Sequence, residues 1–193
     1  MTDFSLYKLT ARVTSFLAGC ILIMAGTLSS VQAETLEEAL SRTGATVIFL
    51  RHALAPGFGD PASFRLDDCT TQRNLSQEGI EQAQKLGQLI RNSAIIIDNI
   101  LSSKWCRCVD TAQHLNLGPF ETFDGLNSFY QGHADRNDTM NLLRQKLNSL
   151  TQNRITLMVT HQVVISAATG LTVPSGGMVL FSPETGEAVR FSF

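Results

Sequence analysis

The sequence predicts an α/β protein: a three-layer α/β/α sandwich with a mostly parallel central sheet and a C-terminal hairpin. Three observations predict it. Residues 46–50, 99–101 and 155–159 are short apolar runs rich in β-branched side chains, too short for helices, and read as buried strands. Helical patterns separate them, and a parallel neighbour requires such a crossover. The strands are apolar almost throughout, as they must be when helices cover both faces of a sheet.

The chain has 193 residues, and its beginning differs from the rest. Lys8 and Arg12 precede an apolar run over 13–28, and Ser30-Val31-Gln32-Ala33 ends in a small-x-small pattern before Glu34. This is the layout of a secretory signal peptide over 1–33, with export, in the periplasmic sense, as its consequence. The alternative is a lipid anchor, since Leu17-Ala18-Gly19-Cys20 resembles a lipoprotein processing box. That reading shortens the apolar region and strands Ile21–Met24 on the mature side. A spanning anchor needs roughly 20 apolar residues, more than the run offers, so the mature protein is expected to have no integral membrane span.

Removing 1–33 from 193 leaves 160 residues (34–193), the size of one domain with one core. The removed stretch carries Lys8, Arg12 and Asp3, so the 15 basic and 17 acidic residues become 13 and 16, a formal charge of −3. So mild a balance argues against a nucleic-acid or membrane surface. Any anion must be held by a local cluster.

The first strand, 46–50, runs into Arg51 and His52 and then a Pro/Gly loop. Ser76 is an N-cap, flanked by Leu75 and Ile80 as a hydrophobic staple; Ile80, Ala83, Leu86 and Ile90 give the helix one apolar face to about Asn92. The second strand leads through Ser102-Ser103 to Arg107. A shorter helix follows over 109–117. Met140, Leu143, Leu147 and Leu150 recur at helical spacing from about Asp135. The third strand ends at His161, with a helix from Gln162, and the tail turns at Pro183-Glu184-Thr185-Gly186 between two extended runs.

In an exported chain, Cys69, Cys106 and Cys108 suit a disulfide, Cys69 with either of the others, leaving one buried thiol. Cys106-x-Cys108 is poor zinc spacing, and neither a metal nor any other cofactor is expected.

Ligands bind outside the carboxyl ends of strands in such sheets. If the three strands are parallel neighbours, Arg51, His52, Arg107 and His161 open into one crevice. Guanidiniums offer forked donors to paired oxygens, and the helix from Gln162 adds N–H groups at its positive end, so the crevice suits a compact dianion such as phosphate. No acidic partner is evident in sequence for these basic groups. His114 and His133 read as structural, and Phe58, Phe64 and Phe129 as core, with a place on the pocket rim as the alternative. Arg65 and Arg73 with Asp67-Asp68-Cys69 either border the pocket or form a solvated turn.

These residues, in order and spacing, resemble the histidine phosphatase, or phosphoglycerate-mutase-like, superfamily. The match rests on Leu50-Arg51-His52-Ala53, Asn74-Leu75-Ser76-x-x-Gly79-x-x-Gln82-Ala83, Ser102-Ser103-x-x-x-Arg107-Cys108-x-x-Thr111-Ala112 and Val159-Thr160-His161. The compact length is similar to that of small exported bacterial members, including lipopolysaccharide core heptose phosphatases. The resemblance implies a metal-independent phosphohydrolase in which His52 is the catalytic nucleophile, carrying a phosphohistidine intermediate. Arg51, Arg107 and His161 would bind the substrate and stabilise its equatorial oxygens. The substrate would be a phosphorylated small molecule, envelope sugar or phosphoprotein.

One departure matters. Many members carry a general-acid glutamate where this chain has Leu126-Asn127-Ser128-Phe129, and the nearest carboxylates are Asp135 and Asp138. Asp135 is the candidate acid; its structural alternative is a helix N-cap. Without an acid, donors with activated leaving groups, such as phosphoramidates or anhydrides, are favoured over sugar monoesters. The missing acid also motivates a rival reading, a phospho-ligand binding protein with a degenerate pocket. A phosphomutase would need a second phosphate site and more enclosure than 160 residues supply.

Overall fold

A computed structural model describes residues 33–151 and 153–193. The export signal expected over 1–33, with its alternative at Cys20, lies outside the described residues except for Ala33. Among the described residues no helix is long and apolar enough to cross a membrane.

Six strands form one sheet in the order β3-β2-β4-β1-β5-β6. The central strands are β1 (Val47–Arg51), β2 (Ile97–Ser102) and β4 (Ile155–Thr160), all parallel, with β4 between the other two. The two-residue β3 (Glu121–Thr122) extends one edge in parallel, and β5 (Met178–Phe181) and β6 (Ala188–Phe191) extend the other as the antiparallel hairpin expected at the C-terminus. The mixed edge is therefore confined to one side.

Alternation along β1 builds the three layers. Ile48 and Leu50 pack with Leu157, Val159 and Leu180 under α1 (Leu36–Thr43), α2 (Gln77–Asn92) and α3 (Cys106–Leu115). Val47 and Phe49 face the other way, with Met158 and Val179, under α4 (Arg136–Ser149) and α5 (Gln162–Thr169). Every β1 residue from Val47 to Leu50 is fully buried.

Several elements differ from the sequence reading. The helix α1 was not anticipated, although Thr35 and Glu38 close a capping box at its start and Gly44 ends it in the left-handed region. The helix α3 begins at Cys106 rather than Val109. Its N-cap, Trp105, offers no side-chain acceptor, so the usual start signal is missing; Gln72 Oε1 accepts from the Cys106 amide at 3.0 Å instead. In α2 the fully buried stripe is Gly79, Ala83, Gly87 and Ile90, with Ile80 and Leu86 only half-buried. The two glycines allow close approach: a Cβ on Gly79 would collide with the Leu54 carbonyl oxygen, and one on Gly87 with that of Leu115. The strand β2 starts earlier than its apolar run because Asp98 and Asn99 are exposed around a bulge, where the Asp98 carboxylate accepts from the Ile155 amide.

Candidate active site

Because β2, β4 and β1 are adjacent and parallel, their carboxyl ends bring Arg51, His52, Arg107 and His161 to one cleft of about 270 Å³. Arg73 lines the same cleft, as do Gln162 and Val163 at the start of α5.

His52 is buried just beyond β1, its amide donating to the Thr160 carbonyl at 2.9 Å. Its Nδ1 lies 2.8 Å from the Ala53 carbonyl. A carbonyl only accepts, so Nδ1 carries the hydrogen and Nε2 keeps its lone pair. The peptides after His52 are held in turn by motif residues. The Ala53 amide donates to Thr111 Oγ1 at 2.9 Å, and that hydroxyl donates to the Arg107 carbonyl at 2.6 Å. Gln82 accepts from the Leu54 amide and donates to the Ser175 carbonyl, both at 2.9 Å. Gly79, Gln82 and Thr111 thus set the carbonyl that orients the imidazole. Burial, then the Arg107 guanidinium, pulls the His52 pKa down to about 3. Its ring is neutral at neutral pH.

His161 is also buried, 5.5 Å from His52 between ring centroids, with Trp105 packed edge-on at 5.4 Å. Asn127 donates from its amide nitrogen to Asp124, which leaves Oδ1 to accept from the Ser103 hydroxyl (3.2 Å) and the Lys104 amide (3.0 Å). The Ser103 hydroxyl therefore receives a hydrogen bond from His161 Nε2 at 2.9 Å, and Nδ1 accepts from Arg107 Nη2 at 3.3 Å. Burial and Arg107 hold the His161 pKa well below its ordinary value. Both its nitrogens have protein partners, so a direct bond to an anion requires one of these to be released. Cys108 lies against the same ring and is pushed by burial up to about 12, a neutral thiol.

The basic groups do have an acidic partner, contrary to the sequence reading. Asp60 Oδ1 accepts from Arg107 Nη1 at 2.8 Å and from the Arg73 amide at 3.0 Å, while Oδ2 accepts from Trp105 Nε1 at 3.1 Å. Burial acts to raise the Asp60 pKa, but the Arg73 amide and Arg107 outweigh it and hold the carboxyl below its ordinary value. Arg73 donates to the carbonyls of Gly59 and Ala55, and Arg51 Nη1 to that of Val173 at 2.9 Å. Three guanidiniums, one carboxylate and two neutral imidazoles sum to +2, which complements a phosphate dianion.

Asp60 was missed because a carboxylate in a Pro/Gly loop looks like a turn residue; the only clue was that a buried guanidinium requires a counter-charge. Arg65 and Asp67 form an exposed ion pair at 3.0 Å, and Asp68 caps the turn at Cys69–Thr71, so of that group only Arg73 reaches the cleft. Cys69 pairs with Cys106, which rules Cys106 out as a metal ligand, and Cys108 is the buried thiol. Asp135 caps α4, accepting from the Asp138 amide at 2.9 Å; it is exposed and does not line the cleft. The candidate acid is thus an N-cap. Ser128 lines the cleft instead. Phe64 stacks on Trp105 and the half-buried Phe129 packs against the core, whereas Phe58 stands on the cleft rim.

The sequence model of the histidine phosphatase superfamily (branch 1) matches residues 47–142. No curated protein sequence matches the chain. Among solved structures it is similar to the product of open reading frame Rv3214 of Mycobacterium tuberculosis (18% identity, TM-score 0.53, covering 76% of this chain and 95% of that one). It is also similar to a phosphoserine phosphatase from Entamoeba histolytica in complex with 3-phosphoglyceric acid (19% identity, TM-score 0.52, covering 76% and 95%). These likenesses establish the shared fold.

Proposed function

Since the chain belongs to the histidine phosphatase superfamily, branch 1, we propose that it is a metal-independent phosphohydrolase working through a phosphohistidine at His52. The observation that carries this reading is the His52 tautomer: Nδ1–H is fixed on the Ala53 carbonyl, and the neutral Nε2 lone pair borders a cleft with a charge of +2. Nε2 attacks phosphorus, the N–P bond forms as the bond to the leaving group breaks, and water then hydrolyses the intermediate. Arg51 and Arg107 stabilise the equatorial oxygens, Arg73 adds attraction, and His161 fixes Arg107. The start of α5 supports the anion with its free N–H groups.

With Asp135 used as a cap, this mechanism has no carboxylic acid at the leaving group and favours phosphoryl donors whose leaving group needs little protonation. The Cys69–Cys106 disulfide supports an exported protein, since such bonds persist in oxidising compartments. Hydrolysis of an aryl phosphate in the presence of chelator, wild type against His52→Ala, tests the activity; equal rates would refute it. The second reading, a phospho-ligand binding protein, draws on Ser128 standing where an acid would be. Phosphate or vanadate stabilisation without turnover of any ester or phosphoramidate would favour it.

A further inference from the structure

We propose that Phe58 and Tyr130 form an aromatic rim selecting substrates whose phosphoryl group is borne on an aromatic ring, through oxygen or nitrogen. The inference rests on the phosphohydrolase reading and names its substrate class. Both residues line the cleft that holds His52, Arg51 and Arg107. Phe58 is completely exposed and Tyr130 is 52% exposed, so neither serves the core. Isolated exposed aromatics are ordinary, but two at the mouth of one anion cleft offer a flat apolar face beside a charged floor.

The two loops that carry the rim are joined to each other. Phe58 sits between Gly57 and Gly59, both in the left-handed region, on the loop that continues into Asp60. Tyr130 precedes Gln131, a non-glycine residue at φ 60°. Gln131 Oε1 accepts from the Asp60 amide at 2.8 Å and its Nε2 donates to the Asp60 carbonyl at 3.4 Å, joining the two loops. The Tyr130 amide is held by Ser128 Oγ at 3.3 Å. A residue kept in a sparsely populated conformation by two bonds to the opposite loop points to a positional requirement.

The independent observation is chemical. Among the described residues no carboxylate lines the cleft, and Asp60 behind it is committed to Arg107, Trp105 and Arg73. A leaving group must then depart without a carboxylic acid. When His52 Nε2 bonds to phosphorus and the P–O bond of an aryl phosphate breaks, the ring delocalises the departing electron pair and solvent protonates the phenolate. When a P–N bond to a ring-protonated imidazole breaks, neutral imidazole departs. Stacking and leaving-group chemistry thus select the same substrates.

The test compares phenyl phosphate, phosphorylimidazole and acetyl phosphate, the last being activated but lacking a ring. In wild type, Phe58→Ala, Tyr130→Ala and the double variant, KM and kcat are measured for each. In the double variant the loss of kcat/KM on the ring substrates is expected to exceed that on acetyl phosphate by about tenfold, mostly in KM. Equal losses would overturn the proposal, as would no loss on the ring substrates. The relative rates on phenyl phosphate and phosphorylimidazole distinguish oxygen-borne from nitrogen-borne groups. Binding of phenylphosphonate against methylphosphonate gives a second readout without catalysis: wild type should prefer the ring, and the double variant should lose that preference. Equal affinity in wild type would reject the rim even if His52-dependent turnover stands; absent turnover with a ring preference would reject the phosphohydrolase and keep the rim.

Discussion

Asp60 Oδ1 and Arg107 Nη1 meet at 2.8 Å with only 4% and 3% of their side chains exposed, a buried ion pair formed across 47 residues of sequence. It holds one face of the anion cleft. Removing one member of such a pair leaves an uncompensated charge and costs about 3–5 kcal/mol. Asp60→Asn should therefore lower the unfolding free energy by an amount of that order, with phosphate restoring part of it by occupying the more positive cleft. Vanadate affinity should hold or rise while kcat falls at least about tenfold, because Arg107 loses its fixed orientation. Urea melts with and without phosphate, alongside steady-state kinetics, check this; a parallel loss of affinity and kcat would count against it.

The disulfide acts on the same region. It joins Cys69, on the loop carrying Asp60 and Arg73, to Cys106, the residue before Arg107. For a separation of 37 residues the loop-entropy relation gives about 4 kcal/mol, as an upper figure. The Cys69→Ser/Cys106→Ser double variant should lose stability up to that amount and show a raised KM. Unchanged chemical melts and kinetics would mean the loop is held by Gln72 and Asp60 without the bond.

Acidification should destabilise the protein through its two buried imidazoles. Folded His52 has a pKa of about 3 and His161 is well below its ordinary value, so from the unfolded pKa of about 6.5 downward the unfolded chain binds more protons. The contribution is fully present above about pH 6.5 and is lost as pH falls toward 3. Each imidazole accounts for at most about 1.4 kcal/mol per pH unit. Between pH 7 and 5 the wild type should lose stability, and His52→Gln should flatten the slope. An unchanged slope in that variant would contradict the burial of a neutral His52.

Asp135 should behave as a cap. Asp135→Asn retains an acceptor and should leave both stability and kinetics near wild type, while Asp135→Ala costs about 1 kcal/mol. The ratio of alkyl to aryl phosphate turnover should not change in either variant. A loss of orders of magnitude on alkyl phosphates alone, with aryl phosphates spared, would restore Asp135 as the proton donor.

What was legible in the sequence was what periodicity and strand ends encode. The apolar runs of β1 and β4, the Ser76 cap of α2 and the heptad-like spacing in α4 each report a local free-energy preference, and strand adjacency then brings His52, Arg107 and His161 together. Asp60 was hidden because its partners lie 13, 45 and 47 residues away and nothing local distinguishes it from a turn aspartate. The start of α3 was hidden for a related reason: the acceptor at its first amide comes from Gln72, 34 residues upstream. By contrast, α1 is encoded locally, by the capping box of Thr35 and Glu38 at its start. The motif residues Gly79, Gln82 and Thr111 acquire their physical meaning only in three dimensions, as the support for the peptides that follow His52.

The most direct measurement is trapping of the phosphoenzyme. Protein turning over an aryl phosphate is quenched in alkali, where an N–P bond survives, digested, and its phosphopeptides are sequenced by mass spectrometry. The mechanism places an alkali-stable phosphoryl group on His52, absent from His52→Ala. Label on any other residue during turnover, or full turnover by His52→Ala, would contradict it.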